Sequence, residues 1–141
     1  MRTSDFNFEQ DYFYLLGNAY SISSINCKNE EELSKYLKKK SMQVLTQMVR
    51  EQEQIMGIKE PYKVAIRNTN AQFGSNSMKT HKLSFQLKLI YFSEEIIKSV
   101  VVHELAHDFY RNHQKEFYNV VYKYCPNYKE VQKKLKKGIH K

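Results

Sequence analysis

The stretch SEEIIKSVVVHELAHDFYRNH, residues 93–113, decides how this chain is read. Ser93 followed by Glu94 and Glu95 marks a helix start: a hydroxyl that accepts from an early backbone N–H, then acidic side chains against the positive end of the helix dipole. Behind it Ile96, Ile97, Val100, Val101, Val102, Leu105, Ala106 and Phe109 occupy nearly the whole helix circumference, which predicts a helix buried inside a domain. Polar groups placed in such a helix need a reason, because burying them unpartnered is costly.

Those polar groups are His103, Glu104 and His107, in HELAH. Four residues of helix turn through ~400° and rise ~6 Å, so both imidazoles lie on one face and can reach one ion. Glu104 stands ~100° away, able to contact a metal-bound water without displacing a histidine, as the general base of this motif must. A catalytic zinc takes three protein ligands and keeps one position open, so a third ligand is sought downstream. His113 is the candidate. On a continuing helix it would lie ~240° round and ~9 Å on, so the chain must turn first, and Asn112 tolerates the left-handed conformation such a turn uses. The spacing resembles that of metzincin proteases, but their motif needs a glycine where this chain has Tyr110. His81 and His140 have no partner at ligand spacing and read as ordinary histidines.

Outward from this segment, DYFYLLGNAYSISSI holds two aromatic and β-branched runs around Gly17-Asn18, predicting a β-hairpin. Asn29 before Glu30, Glu31 and Glu32 opens a long helix to about Met56, with one break allowed, that ends near Gly57. YKVAIRN alternates as a half-buried strand does, residues 70–80 are rich in turn formers and read as a loop, and KLSFQLKL alternates again as a strand. Helical patterns resume after Asn112 through Tyr124 and, beyond Pro126, around Val131 and Leu135. The order predicts an α+β fold in which a small, mostly antiparallel sheet packs against helices, with the metal site on the buried one.

The chain has 141 residues, 41% of them hydrophobic and 13% aromatic, enough for one core and one domain over residues 1–141. No run approaches a membrane span and MRTSDFNFEQ lacks a signal-peptide core, so a cytoplasmic protein is expected. Cys27 and Cys125 are far apart and read as free thiols. Of the net charge of +8, most lies in residues 114–141, where eight lysines face only Glu116 and Glu130. Such a cluster attracts nucleic acid or an anionic surface in some proteins, but solvated lysines on helix faces are the commoner cause, so a nucleic-acid partner is not favoured.

Beyond the pentapeptide, VVHELAHDFYRNHQKEFYNVVYKYCPNYKEVQKKLK resembles the signature of the YgjP-like metal-dependent hydrolases, a bacterial family grouped with zinc metallopeptidases: HELxH, a histidine six residues later, an aromatic after it, and Pro-x-Tyr before the final helix. IRNTNAQFGSNSMKTHKLSFQLKLIYFSEEIIKSVVVHELAH is similar to its strand, aromatic-Gly-Ser loop, strand and Ser-capped helix. YLLGNAYSI is similar to the hairpin that opens the family's C-terminal region. The resemblance implies a zincin-like fold, His103, His107 and His113 as metal ligands, and Glu104 as base. It also implies that the loop Phe73-Gly74-Ser75 lies near the metal and helps shape the substrate site, Gly74 permitting close backbone approach or positive φ, with a plain strand-connecting turn as the equal alternative. Phe73 stands where members usually have Trp, and Asn76 where they often have Cys. Members usually carry extra N-terminal strands with no counterpart here, so a short version or truncated gene is expected.

The favoured function is therefore a metallopeptidase-type hydrolase using one Zn2+ per chain, other divalent ions being open, and acting on a peptide or small-molecule substrate. Arg67 is a further candidate, to clamp an anionic substrate group, against the plainer reading of an exposed strand arginine. The alternatives are a metal-dependent nucleotide hydrolase and a non-catalytic basic module associated with nucleic acid.

Overall fold

A computed structural model describes residues 4–141. The N-terminal segment forms a three-stranded antiparallel sheet of β1 (Phe6–Asn7), β2 (Tyr12–Leu15) and β3 (Asn18–Tyr20), in that order. The hairpin is present, but its turn is Leu16-Gly17 rather than Gly17-Asn18, with φ of 51° and 84°. Two left-handed residues match the twist of the flanking strands. Leucine tolerates that conformation here because Leu16 N–H donates to the Ile90 carbonyl at 2.9 Å and Gly17 N–H to that of Tyr91 at 3.1 Å. A Cβ on Gly17 would sit 3.0 Å from the His140 carbonyl oxygen and 3.2 Å from Ser93 Cα.

Helix α1 (Glu30–Met56) runs unbroken for 27 residues, so the possible interruption does not occur. The Asn29 side chain accepts from Glu32 N–H at 2.9 Å and Gly57, at φ 74°, ends the helix. Leu33, Leu37, Ser41, Leu45, Val49 and Met56 are its buried stripe. A short connection leads to β4 (Lys63–Arg67), pinned by an exchange of polar contacts: buried Glu53 accepts from Tyr62 N–H at 2.7 Å and from Arg50 at 2.6 Å, while Arg50 donates to the Tyr62 carbonyl at 2.6 Å.

The second sheet has order β4-β6-β5, with β5 (Gly74–Ser77) and β6 (Lys82–Gln86) antiparallel and β4 and β6 parallel. This sheet is mixed, and with three of the four strand pairings antiparallel the mostly antiparallel expectation holds, while one other expectation changes. The segment read as a loop contains β5, because strand pairing with β6 overrides the weak strand propensity of Gly-Ser-Asn-Ser. The middle strand is buried on both faces: Leu83 and Phe85 lie on one, Ser84 and Gln86 on the other. Gln86 Nε2 donates to the Thr69 and Ala71 carbonyls, holding the crossover that lets β4 and β6 run parallel. The strand expected through Leu89 stops at Gln86, where Leu87–Tyr91 curl into a 3₁₀ turn whose carbonyls receive the hairpin.

Helix α2 (Glu94–Ala106) is capped by the Ser93 hydroxyl and packs against α1, β5, α3 (Lys115–Tyr124) and α4 (Tyr128–Lys137). Ile96, Ile97, Val101, Val102, Leu105 and Ala106 have no exposed surface. Ser99, also fully buried, donates to the Ile96 carbonyl and accepts from Gln132 of α4 at 3.1 Å. The helix ends before Phe109, which is 44% exposed instead of completing the apolar circumference. Cys27 and Cys125 are free thiols, and among the described residues no helix is long and apolar enough to cross a membrane.

Glu53→Ala should lower unfolding free energy by about 2 kcal/mol, since it orphans a buried N–H and a guanidinium; urea denaturation measures this. Glu53→Gln should cost less, its amide oxygen still accepting from Tyr62. Equal midpoints for Glu53→Ala and wild type would contradict this account of the α1–β4 junction.

Candidate metal centre

His103 and Glu104 belong to the last turn of α2, and His107 is its C-terminal cap. The backbone then turns through residues 108–114 and returns as α3. Asn112 is not among the residues with positive φ, so the turn is made without the left-handed residue expected there. Instead, Arg111 fastens it: its guanidinium donates to the His107 carbonyl at 3.0 Å, to Asn76 Oδ1 at 3.1 Å and to the Asn76 carbonyl at 3.2 Å. Asn76 in turn donates to the Glu104 carbonyl at 2.8 Å. These contacts take up the His107 carbonyl and add a second donor to that of Glu104, which also accepts from His107 N–H at 3.3 Å. Tyr62 adds a further tie, donating to Asp108 at 2.6 Å.

The result is convergence of three imidazoles. One ring nitrogen from each of His103, His107 and His113 lies within 4.8 Å of the others, and His103 Nε2 is 3.2 Å from His113 Nε2. The remaining nitrogens of two rings are already occupied: His103 Nδ1 lies 2.7 Å from the Tyr128 hydroxyl and His107 Nδ1 3.0 Å from the Tyr110 carbonyl. Protonation at Nδ1 leaves the Nε2 lone pairs directed together, the arrangement in which metal-binding histidines are oriented by second partners. Phe117, fully buried, packs against all three rings. Three imidazole nitrogens brought this close together could hold a metal ion, and this donor set suits zinc and its neighbours.

Electrostatics point the same way. Burial, then the neighbouring His107 and His113, pushes His103 down to about 4, and burial also lowers His107, so both rings are neutral near pH 7. Burial raises the Glu104 carboxyl to about 7, opposed by Arg111. A carboxyl poised near neutrality can both take up and release a proton. Burial raises the Tyr128 phenol, which therefore stays protonated.

A cavity of about 430 Å³ opens onto this site, lined by His103, Glu104 and His113 on one side, Phe73 and Gly74 on another, and Tyr118, Tyr128 and Gln132 on a third. Gly74 does not use positive φ; its role is close approach, because a Cβ there would lie 2.9 Å from Val100 Cγ1 and 3.1 Å from Glu104 Cγ. Ser75 and Arg67 instead line a separate cavity of about 420 Å³ with Ser84 and Gln86, and the structure does not bring them to the histidines. His81 stacks on Tyr62 and His140 on Tyr14, away from the cluster. A broader groove of about 780 Å³ follows the outer face of α1 from Lys35 to Gln47 and is lined by no histidine, cysteine or carboxylate.

Tyr128, Arg111 and Asn76 carry no role in the sequence reading. Tyr128 was visible only as the last residue of Pro-x-Tyr, and the signal that would have singled it out is physical: a buried histidine offering one nitrogen to a metal needs a partner for the other.

Comparison with known proteins agrees with this geometry. No curated protein matches the sequence. The crystal structure of the metallopeptidase zymogen abylysin of Pyrococcus abyssi superposes with a TM-score of 0.60 at 24% identity, over 64% of this chain and 90% of that one. The jannalysin zymogen of Methanocaldococcus jannaschii gives 0.59 at 25%, over 64% and 92%. These likenesses show a zincin-like metallopeptidase fold. The family match covers most of the sequence: over residues 10–138, the chain belongs to the YgjP-like metallopeptidase domain family.

Proposed function

We propose that this protein is a zinc-dependent peptidase of one domain, in which His103, His107 and His113 hold a single Zn2+ and Glu104 is the general base. The observation that carries it is the convergence of the three ring nitrogens beside a buried carboxyl. One continuous hydrophobic core supports the single domain.

Zinc, when bound, supplies Lewis acidity that polarises a carbonyl and brings the pKa of water towards about 7. The chain's own residues do the rest. Glu104 takes a proton from the attacking water and returns it to the departing amine, one group serving as base and then acid. The Tyr110 carbonyl, which can only accept, holds His107 in the tautomer that keeps Nε2 unprotonated, and the Tyr128 hydroxyl can accept from His103 Nδ1–H in the same tautomer. Arg111 and Asn76 fix the helix end from which His107 and Glu104 project.

A peptide would be received along β5. Phe73 pairs with Gln86 through the Gln86 N–H, which donates to the Phe73 carbonyl at 2.9 Å, so by antiparallel alternation Gly74 and Asn76 direct their backbone groups to the open side of the strand. Arg111 takes the Asn76 carbonyl. Gly74, adjoining Glu104, offers its N–H and C=O to an extended chain, which would add to the sheet edge as another strand.

Protein purified without a metal-affinity tag should contain about one zinc per chain, as a single open site of three ligands requires, and His103→Ala, His107→Ala and His113→Ala should each lose most of it by elemental analysis. Metal retained fully in any one variant would remove that residue from the ligand set. Glu104→Gln should keep its zinc and lose at least about a hundredfold in peptide turnover, the usual contribution of a positioned base; turnover within a fewfold of wild type would sink its assigned role. Gly74→Ala should also keep zinc while kcat/KM falls roughly tenfold or more, because the added methyl displaces Val100 or Glu104, and a 1 Å misplacement is costly to catalysis. Unaltered kcat/KM would exclude close approach at Gly74 as a constraint.

A further inference from the structure

The cavity at the histidines does not end at α4. Tyr118, Tyr128 and Gln132 line both it and a neighbouring groove of about 300 Å³ whose other walls are Lys129, Lys133 and Lys136. The three lysines sit at spacings of four and three residues, which puts their side chains along one face of α4. All three are exposed, and among the described residues none is in an ion pair. The floor is aromatic: Tyr118 and Tyr128 line it and meet each other and Tyr122 at centroid distances of 6.1 to 6.4 Å, and Lys129 Nζ lies 5.9 Å from the Tyr122 ring centroid. Among the described residues no carboxylate lines this groove. A cleft walled by one sign of charge over apolar rings concentrates its field and draws in the opposite charge.

We propose that this groove is a subsite for acidic residues of the peptide substrate, on one side of the bond to be cleaved; the assignment rests on the peptidase reading above. From Lys129 to Lys136 the helix rises ~10 Å, the length of about three residues of extended peptide. An extended acidic segment therefore places successive carboxylates within reach of the lysine ammonium groups while its backbone crosses the tyrosines. Ammonium groups on flexible stems act as point charges and suit carboxylates at irregular spacing, which the alternating sides of an extended chain present. The groove shares Tyr118, Tyr128 and Gln132 with the cavity at Glu104, which puts it beside the path of a substrate, where a lysine face remote from the site would not be.

The test compares fluorogenic peptides of one length carrying three Glu, three Gln or three Lys on a given side of the cleaved bond. Wild type should favour the Glu peptide over the Gln peptide by roughly tenfold in kcat/KM, mainly through KM, because two or three exposed ion pairs each contribute up to a few-fold. Added salt should erode the preference. Lys133→Glu/Lys136→Glu should reverse it towards the Lys peptide, whereas Lys35→Glu/Lys39→Glu on α1 should leave the ratio where it was. Identical ratios in wild type and the α4 variant would overturn the subsite. So would an equal shift from the α1 variant, which would mean that only overall charge matters. Binding of the same peptides to Glu104→Gln protein, followed by fluorescence anisotropy, reads the subsite without turnover. If no peptide is cleaved, the peptidase reading fails, yet a preference for the Glu peptide that Lys133→Glu/Lys136→Glu reverses still supports the subsite. An oligonucleotide bound in a salt-sensitive way, with no preference among the peptides, would replace it with a nucleic-acid surface.

Discussion

Everything at the metal centre follows from one constraint: α2 has almost no face towards water, yet its last turn carries two histidines and a glutamate. In an apolar interior each of their polar atoms needs a partner. Tyr128 and the Tyr110 carbonyl take one nitrogen of His103 and His107, and the others turn together towards His113. Burial that would merely destabilise an ordinary helix here prepares two neutral rings and a carboxyl able to exchange a proton near neutral pH.

The surrounding elements can be understood as supports for that helix end. β5 comes so close that a side chain at position 74 would press on Val100 and Glu104, and its asparagine two residues later ties down the carbonyl of Glu104. Arg111 joins the same asparagine to His107, so strand and helix terminus are tied to each other. From the opposite side α4 contributes Tyr128 at its first position and Gln132 one turn on, bonded to Ser99 in the middle of α2. Asn76, Tyr128 and Gln132 sit on regular elements, which hold a geometry better than loops do.

Local signals made much of this readable from sequence. The Ser93 cap, the apolar circumference of α2 and the four-residue spacing of His103 and His107 all act within one helix, where periodicity translates directly into geometry. The long first helix was equally plain from Asn29 and its acidic first turn. What escaped was non-local. Gly-Ser-Asn-Ser has the composition of a turn and becomes a strand only because Leu83 and its neighbours offer a ladder. The parallel pairing of β4 with β6 depends on how Gln86 gathers the crossover. Tyr128 meets His103 across 25 residues, a contact no spacing rule announces. Asn112, a good candidate for a left-handed turn, was not needed once Arg111 supplied the fastening.

The pairing of His140 with Asp5 has another consequence. The His140 ring lies on Tyr14 at 3.9 Å between centroids, its Nε2 is 2.8 Å from Asp5 Oδ1, and its carbonyl accepts from Ser93, the cap of α2. Positions 5 and 140 are thereby neighbours in space. Segments 135 residues apart in sequence thus close on each other where α2 begins.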